Sequence, residues 1–307
     1  MAKFAKWVTD AAPDSPMSDV VRVALEVRLA AVQHHLPRAA FLSDENVEYV
    51  HAARVATRRA SAALAMYRAF LPDKPRKRLR ASLKEMRNSM GEARDLDVYL
   101  ERFTEVDEPG VGAFAGQLEQ QRIAAQRSVV GCALGLLTGD RLTRQCRRVV
   151  KASKRYAAKR LRKQSFGEWA TGQLQQAWVP FAAAVPSDDP VATELHDFRI
   201  ATKHFRYTLE LLRGGLPETH RRLACQQIKS LQAQLGEIQD HAVAADKLAL
   251  WAAQARKKRV RKLLARYQQE ELEQYRGKSE AFVHWWRRDR IDELQAAVDA
   301  VTHEQAS

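Results

Sequence analysis

One ten-residue segment occurs twice in this chain, 145 residues apart, and any fold must accommodate both copies. Val50-His51-Ala52-Ala53-Arg54-Val55-Ala56-Thr57-Arg58-Arg59 returns as Leu195-His196-Asp197-Phe198-Arg199-Ile200-Ala201-Thr202-Lys203-His204. The register then holds without a gap. Leu71-Pro72 recurs as Leu216-Pro217, Lys84 as Lys229, Gly91-Glu92 as Gly236-Glu237 and Asp95 as Asp240. Such a repeat predicts two similar halves, and 307 residues suffice for two domains of ordinary size. Several matched positions are His, Arg and Lys at helical spacing, which packing alone does not demand.

Strand patterning is nearly absent, whereas segments rich in Ala, Leu, Arg, Glu and Gln with helical periodicity fill the chain. Helices are expected over 18–35, 44–70, 76–94, 97–106, 111–137 and 140–163. In the second half they are expected over 166–185, 190–213, 218–238, 240–255, 256–278 and 281–302. Ser43-Asp44 and Asp188-Asp189-Pro190 offer capping oxygens ahead of the two motif helices, and Leu71-Pro72 and Leu216-Pro217 end them. The expected fold is all-α: two pseudo-symmetric helical bundles from an internal duplication. Their bounds are 18–165 and 166–307, after a loose N-terminal tail over 1–17, with the division near 164–167.

Lys and Arg number 51 against 37 Asp and Glu, a net charge of +14. That excess attracts a polyanion: nucleic acid, acidic lipid or another phosphate polymer. An apolar content of 46% argues against a disordered basic tail. Cys132, Cys146 and Cys225 have no pairing or metal spacing, which suits a reducing cytoplasm. The first nineteen residues lack the apolar core of a signal peptide, and the apolar stretch 129–137 is too short to span a bilayer. No membrane association is expected.

On a helical wheel His51, Arg54 and Arg58 form one narrow stripe, and Val50, Ala53, Ala60 and Leu64 form a separate apolar one. In the copy, His196, Arg199 and Lys203 form the polar stripe with Arg206 near it, and Leu195, Phe198, Phe205 and Leu209 the apolar one. The basic stripes border the core faces, whereas a merely solvating charge face opposes the core. The following helix carries Arg80, Lys84, Arg87 and Arg94 on one face, with Gly91 leaving room there for a close ligand or helix. In the copy Lys229 survives, but Cys225, Gln232 and Gln239 replace the three arginines, so the first half is expected to be the more basic site. A third stripe, Arg141, Arg144, Arg148, Lys151, Arg155, Lys159 and Arg162, has no acidic residue within it. Read alone, it is either a solvated helix face or an anion-binding one. The block Arg256-Lys257-Lys258-Arg259, with Arg261 and Lys262, reads as a solvated helix start.

The pattern His-x-x-Arg-Val-x-x-Arg-Arg at His51–Arg59, with Gly91-Glu92-Ala93-Arg94-Asp95 downstream, resembles the CHAD family, the conserved-histidine α-helical domain. The second copy continues the resemblance through His196, Phe198, Arg199, Lys203, Phe205-Arg206-Tyr207, Leu235-Gly236 and Asp240. It covers about residues 18 to 300. The resemblance implies two bundles related by a pseudo-twofold, with basic residues of both lining a central groove or pore. It also implies binding of inorganic polyphosphate and, in cells, association with polyphosphate granules. The expected binding residues are His51, Arg54, Arg58, Arg59, Arg80, Lys84, Arg87, Arg94, Arg144, Arg148, Lys151, Arg155, His196, Arg199, Lys203, Arg206 and Lys229. His204 in place of Arg59, and the three lost arginines, weaken the expected second half-site.

Other readings are less favoured by the residues. For a metal site, His51 and His196 stand one per helix with no Cys or carboxylate cluster, and Glu237 with His241 is a weak pair. For an enzyme, there is no P-loop and no Glu-x-Glu-x-Lys strand of the triphosphate-cleaving barrel to which relatives of this domain are often fused. Asp95 and Asp240 recur, but each is expected to cap a following helix. A non-catalytic chain needing no cofactor is expected, with an accessory role in polyphosphate or triphosphate metabolism as one variant. For nucleic acid, the stripes lack stacking aromatics, and Trp285-Trp286 lies among apolar residues, as core packing requires.

Overall fold

The computed structural model describes residues 11–104, 108, 110–160 and 165–303, and among these it is helical throughout, without a strand. The chain divides into two compact units between Phe166 and Gly167. The first contains α1 (Met17–Phe41), α2 (Glu48–Met66), α3 (Asp73–Ser89), α4 (Gly91–Thr104), α5 (Val111–Leu137) and α6 (Arg141–Arg160). After α7 (Phe166–Ala182) come α8 (Ala192–Leu212), α9 (Glu218–Gln254), α10 (Lys258–Trp285) and α11 (Arg288–His303). Of the expected tail, residues 1–10 lie outside the described residues, as do Val106, Leu161, Arg162, Lys163 and Gln164. Pro16, just ahead of α1, forms a lone bridge with Ser165.

In the first unit α1 and α3 each pack against both α2 and α6, which puts α2 and α6 at opposite corners of a four-helix arrangement. Val50, Ala53, Ala60 and Leu64 of α2 are buried, as the wheel requires. The α4–α5 pair completes the unit. A buried polar network holds it there. Arg122 of α5 donates to both carboxylate oxygens of Asp97 on α4 and to Gln126 Oε1 at 2.9 Å. The Gln126 amide then donates to the carbonyls of Ala39 and Ala40 at 2.8 and 2.9 Å. Those are last-turn carbonyls of α1 with no partner in their own helix. In the second unit the long α9 packs against α8, α10 and α11. Phe181 of α7 stacks on Phe205 of α8, and Phe198 lies 5.5 Å from Trp286, whose expected core role is met.

Several boundaries differ from expectation. The carboxylates of Asp44 and Asp189 do not cap the motif helices. α2 starts from Val47, with Asn46 Oδ1 accepting from the Glu48 N–H at 2.9 Å. α8 starts from Val191, whose N–H donates to Glu194 Oε2 at 3.1 Å and whose backbone carbonyl, not its side chain, accepts from the Glu194 N–H at 3.0 Å. A 3₁₀ turn follows each motif helix, at Arg68–Phe70 and at Arg213–Gly215, and α3 and α9 start at Asp73 and Glu218. All three boundaries therefore recur 145 residues on. At both starts a buried arginine reaches back one turn: Arg76 to Asp73 at 2.6 Å and Arg221 to Glu218 at 3.7 Å. Those first-turn acids complement the helix dipole. After that the halves diverge. α3 and α4 are separated at Met90, whereas α9 runs unbroken through Gly236 and the expected gap at 239. Asp95 and Asp240 therefore lie inside helices and not at the helix starts where capping was expected.

Candidate functional site

The divergence at Met90 has a local cause in Arg54. In an unbroken helix the Arg87 carbonyl would accept from the N–H of residue 91. Here it accepts from Arg54 Nη1, at 3.0 Å. A side chain inserted into the i→i−4 ladder is a recognised source of a helix kink. Glycine at 91 leaves the approach open, since a Cβ there would touch Arg54 Nη1 at 3.4 Å. At the equivalent Gly236 a Cβ would meet nothing within 4 Å. Gly236→Ala is therefore expected to stabilise the protein by about 0.5–1 kcal/mol, the usual gain for glycine to alanine within a helix. Gly91→Ala should gain less because it crowds the guanidinium. Thermal melts of the two variants measure the contrast.

Around this break the first-half stripe comes together. Arg54, half-buried, lies within electrostatic reach of Arg58, Arg87 and Arg94, with Asp95 as the opposing charge. Desolvation and these neighbours lower its pKa, and Asp95 counters them. His51 is lowered too, first by burial and then by Arg94, with Glu48 opposing and Arg58 and Arg54 adding. Arg94 pairs with exposed Glu48 at 3.1 Å. Among the described residues, Arg58 Nε is buried with no hydrogen-bond partner. Arg59 is half-buried beside it on α2, and Arg80 and Lys84 are exposed on α3.

The second half assembles a lesser version. Arg199 and Lys203 both act on Asp240, whose carboxyl is nevertheless pushed up by desolvation. His196 Nδ1 lies 2.6 Å from Gln239 Oε1, an acceptor, so the ring donates there. Gln239 stands where the first half has Arg94, and in both halves this position faces the repeated histidine. Arg206 is drawn elsewhere: its Nη1 is 3.1 Å from Glu210, a carboxylate only 1% exposed, and its guanidinium lies over the Tyr207 ring. Lys229 and His204 are exposed.

The α6 cations form a separate group. Leu142, Cys146 and Val149 face the core, while Arg141, Arg144, Arg148, Lys151 and Arg155 are exposed. Arg147 and Lys154 are exposed with them. Arg162 lies outside the described residues. The block from Arg256 to Lys262 is exposed at the start of α10 except for buried Val260. Glu237 and His241 do not join in a ligand set: Glu237 pairs with Lys278 and His241 with buried Glu271, each at 2.7 Å. Among the described residues no group of three His, Cys, Asp or Glu could hold a metal ion. No helix among them is long and apolar enough to cross a membrane.

Sequence reasoning missed Glu48, Gln239 and Glu210, each of which pairs with a stripe residue. Their spacing from those residues on a wheel carried the signal for Glu210, four residues after Arg206, but not for the cross-helix pairs.

No curated protein matches the chain. A crystal structure of the CHAD domain from the plant Ricinus communis is similar to it, with a TM-score of 0.71 and 23% identity over 97% of each chain. PptA from Streptomyces chartreusis is similar at a TM-score of 0.55 and 20% identity, over 89% of this chain and 99% of that one. At these identities the likeness is one of fold. The CHAD domain family itself matches residues 23–249, and the chain belongs to that family.

Proposed function

We propose that this protein binds inorganic polyphosphate without catalysis, through the stripes of α2 and α8 and the neighbouring cations of α3, α4 and α9, and that it associates with polyphosphate granules. The observation that carries the reading is the clustering of His51, Arg54, Arg58, Arg87 and Arg94 at one helix break, more positive charge than Asp95 and Glu48 offset. Such a cluster is costly until an anion arrives. Arginine supplies a forked, permanently charged donor for phosphate oxygens, and polyphosphate offers oxygens with no bases to read. The family's association with polyphosphate supports the same ligand, and the granule association rests on it alone. The recurring acids Asp95 and Asp240 stand against cations, as counter-charges do, which supports binding over catalysis. Competition tests the ligand class: polyphosphate should displace a DNA duplex at equal phosphate concentration. Failure to displace it would favour the nucleic-acid reading.

His51 gives a pH signature. In the free protein its pKa lies below the ordinary 6.5, so it is neutral at pH 7. A phosphate bound beside Arg54 and Arg58 raises it, because a negative neighbour favours the imidazolium. Binding therefore takes up a proton. Affinity should rise as pH falls through the bound-state pKa and level off below the free-state one. The free fold shows the opposite sign: its lowered His51 costs stability as pH falls below about 6.5. Calorimetry in two buffers of different ionisation heat reads the uptake, which His51→Gln should abolish.

A further inference from the structure

We propose that the exposed face of α6 is a second anchoring surface for the same polyphosphate chain and gives the protein a preference for long chains. The proposal rests on the polyphosphate reading of the α2 stripe.

α6 carries a run of exposed cations with no acid among them. Its sequence from Arg141 to Arg160 contains no Asp or Glu. Arg144, Arg147, Arg148, Lys151, Lys154 and Arg155 are all exposed, and among the described residues none of them forms an ion pair. Some surface cations elsewhere are answered by nearby acids, as in Arg22 with Asp19 and Glu26, or Arg266 with Glu270. Lys151 stands at the centre of the uncompensated set. Positions 147, 148, 154 and 155 lie three and four residues away from it, the spacing at which helix side chains meet, and all four are cationic.

The chemistry of this face selects a linear polyanion. Exposed side chains in water hold a single phosphate weakly, because their attraction is screened. A row of them gains by releasing counterions at each neutralised charge, so the gain grows with ligand length. From Arg141 to Arg155 the row extends about 21 Å at the rise of an α-helix. The face is also distinct from the His51 cluster. α2 and α6 occupy opposite corners of the first unit, and the α6 face points away from the α1 and α3 surfaces that bury Leu142, Cys146 and Val149. A chain held at α2 and long enough to reach α6 would bind there intramolecularly, at high effective concentration. A short one would not.

The test measures binding of tripolyphosphate and of a long-chain polyphosphate to wild type, Lys151→Glu, Arg148→Ala/Arg155→Ala and Arg54→Ala/Arg58→Ala. Both α6 variants should lose roughly tenfold in affinity for the long chain, less than a full avidity gain because each removes only part of the row, and bind tripolyphosphate as wild type does. Lys151→Glu should also raise the melting temperature of the free protein by about 2 °C, since it turns four repulsive neighbours into attractive ones. A rise in stability with a fall in long-chain affinity excludes unfolding as the cause. If melting falls instead, the alanine pair decides. Equal losses at both chain lengths would overturn the proposal by merging α6 with the α2 site, and unchanged long-chain affinity would overturn it outright. A loss confined to duplex DNA would reassign the face to nucleic acid. Retained tripolyphosphate binding in Arg54→Ala/Arg58→Ala would instead defeat the underlying α2 reading.

Discussion

Arg54→Ala/Arg58→Ala is expected to weaken polyphosphate binding by about 3 kcal/mol, roughly a hundredfold, from the loss of two charge-assisted contacts. The slope of log affinity against log salt should become shallower by one to two, roughly the slope contributed by two phosphates on a flexible single strand. Arg199→Ala/Lys203→Ala should cost less, about tenfold. The difference follows from the neighbours. Arg54 and Arg58 work beside Arg87 and Arg94, whereas the second-half pair has Gln232 and Gln239 at those positions. Asp240 already engages Arg199 and Lys203, and Arg206 is committed to Glu210. Titrations at several salt concentrations measure both quantities. Unchanged affinity in both variants would remove the stripes from the site.

The same residues show how far the sequence reaches. The stripes and the buried α2 and α8 faces follow from helical periodicity alone, because a wheel depends only on spacing. The cation-for-glutamine exchanges at 87 and 94 were likewise legible as a weaker second half. What the wheel could not show was that Arg54 takes the Arg87 carbonyl and that the helix gives way at Met90, since this contact joins residues 33 apart. The second copy has Arg199 and Gly236 in register, yet α9 stays continuous. Leu231, Leu235 and Ile238 bury the α9 face through the glycine, which outweighs its weak helix propensity. α1 gives the parallel case. Proline at 37 disfavours helix at the preceding residue, yet α1 runs on to Phe41, where Gln126 from α5 takes its last carbonyls. Only the fold brings that amide into place.

The largest stability effect should come from the Asp97–Arg122 pair beneath that amide. Asp97 is 5% exposed and Arg122 9%. Desolvation pushes the Asp97 carboxyl above its ordinary range; the hydrogen bond and charge of Arg122 oppose this without cancelling it. The sign of the linkage follows. A carboxyl raised in the fold stabilises below its unfolded pKa and loses that contribution as pH rises through the folded value. At neutral pH the ionised pair is therefore no net source of stability over an apolar replacement. Breaking it is a different matter. Asp97→Ala leaves the Arg122 guanidinium buried with Gln126 as its remaining partner, and Arg122→Ala strands the carboxylate, so each should cost about 3–5 kcal/mol. Asp97→Leu/Arg122→Met removes both charges at similar volume and should cost far less than the two single losses together. A double-mutant cycle built on Asp97→Leu, Arg122→Met and their combination, followed by chemical denaturation, measures that coupling. If the losses simply add, the pair is not the unit that holds α4 against α5. If they couple as expected, α4 is fixed by charges buried away from the site. Arg94 and Asp95, at positions 94 and 95 of the same helix, then keep their places beside His51 and Arg54 whether or not an anion is bound.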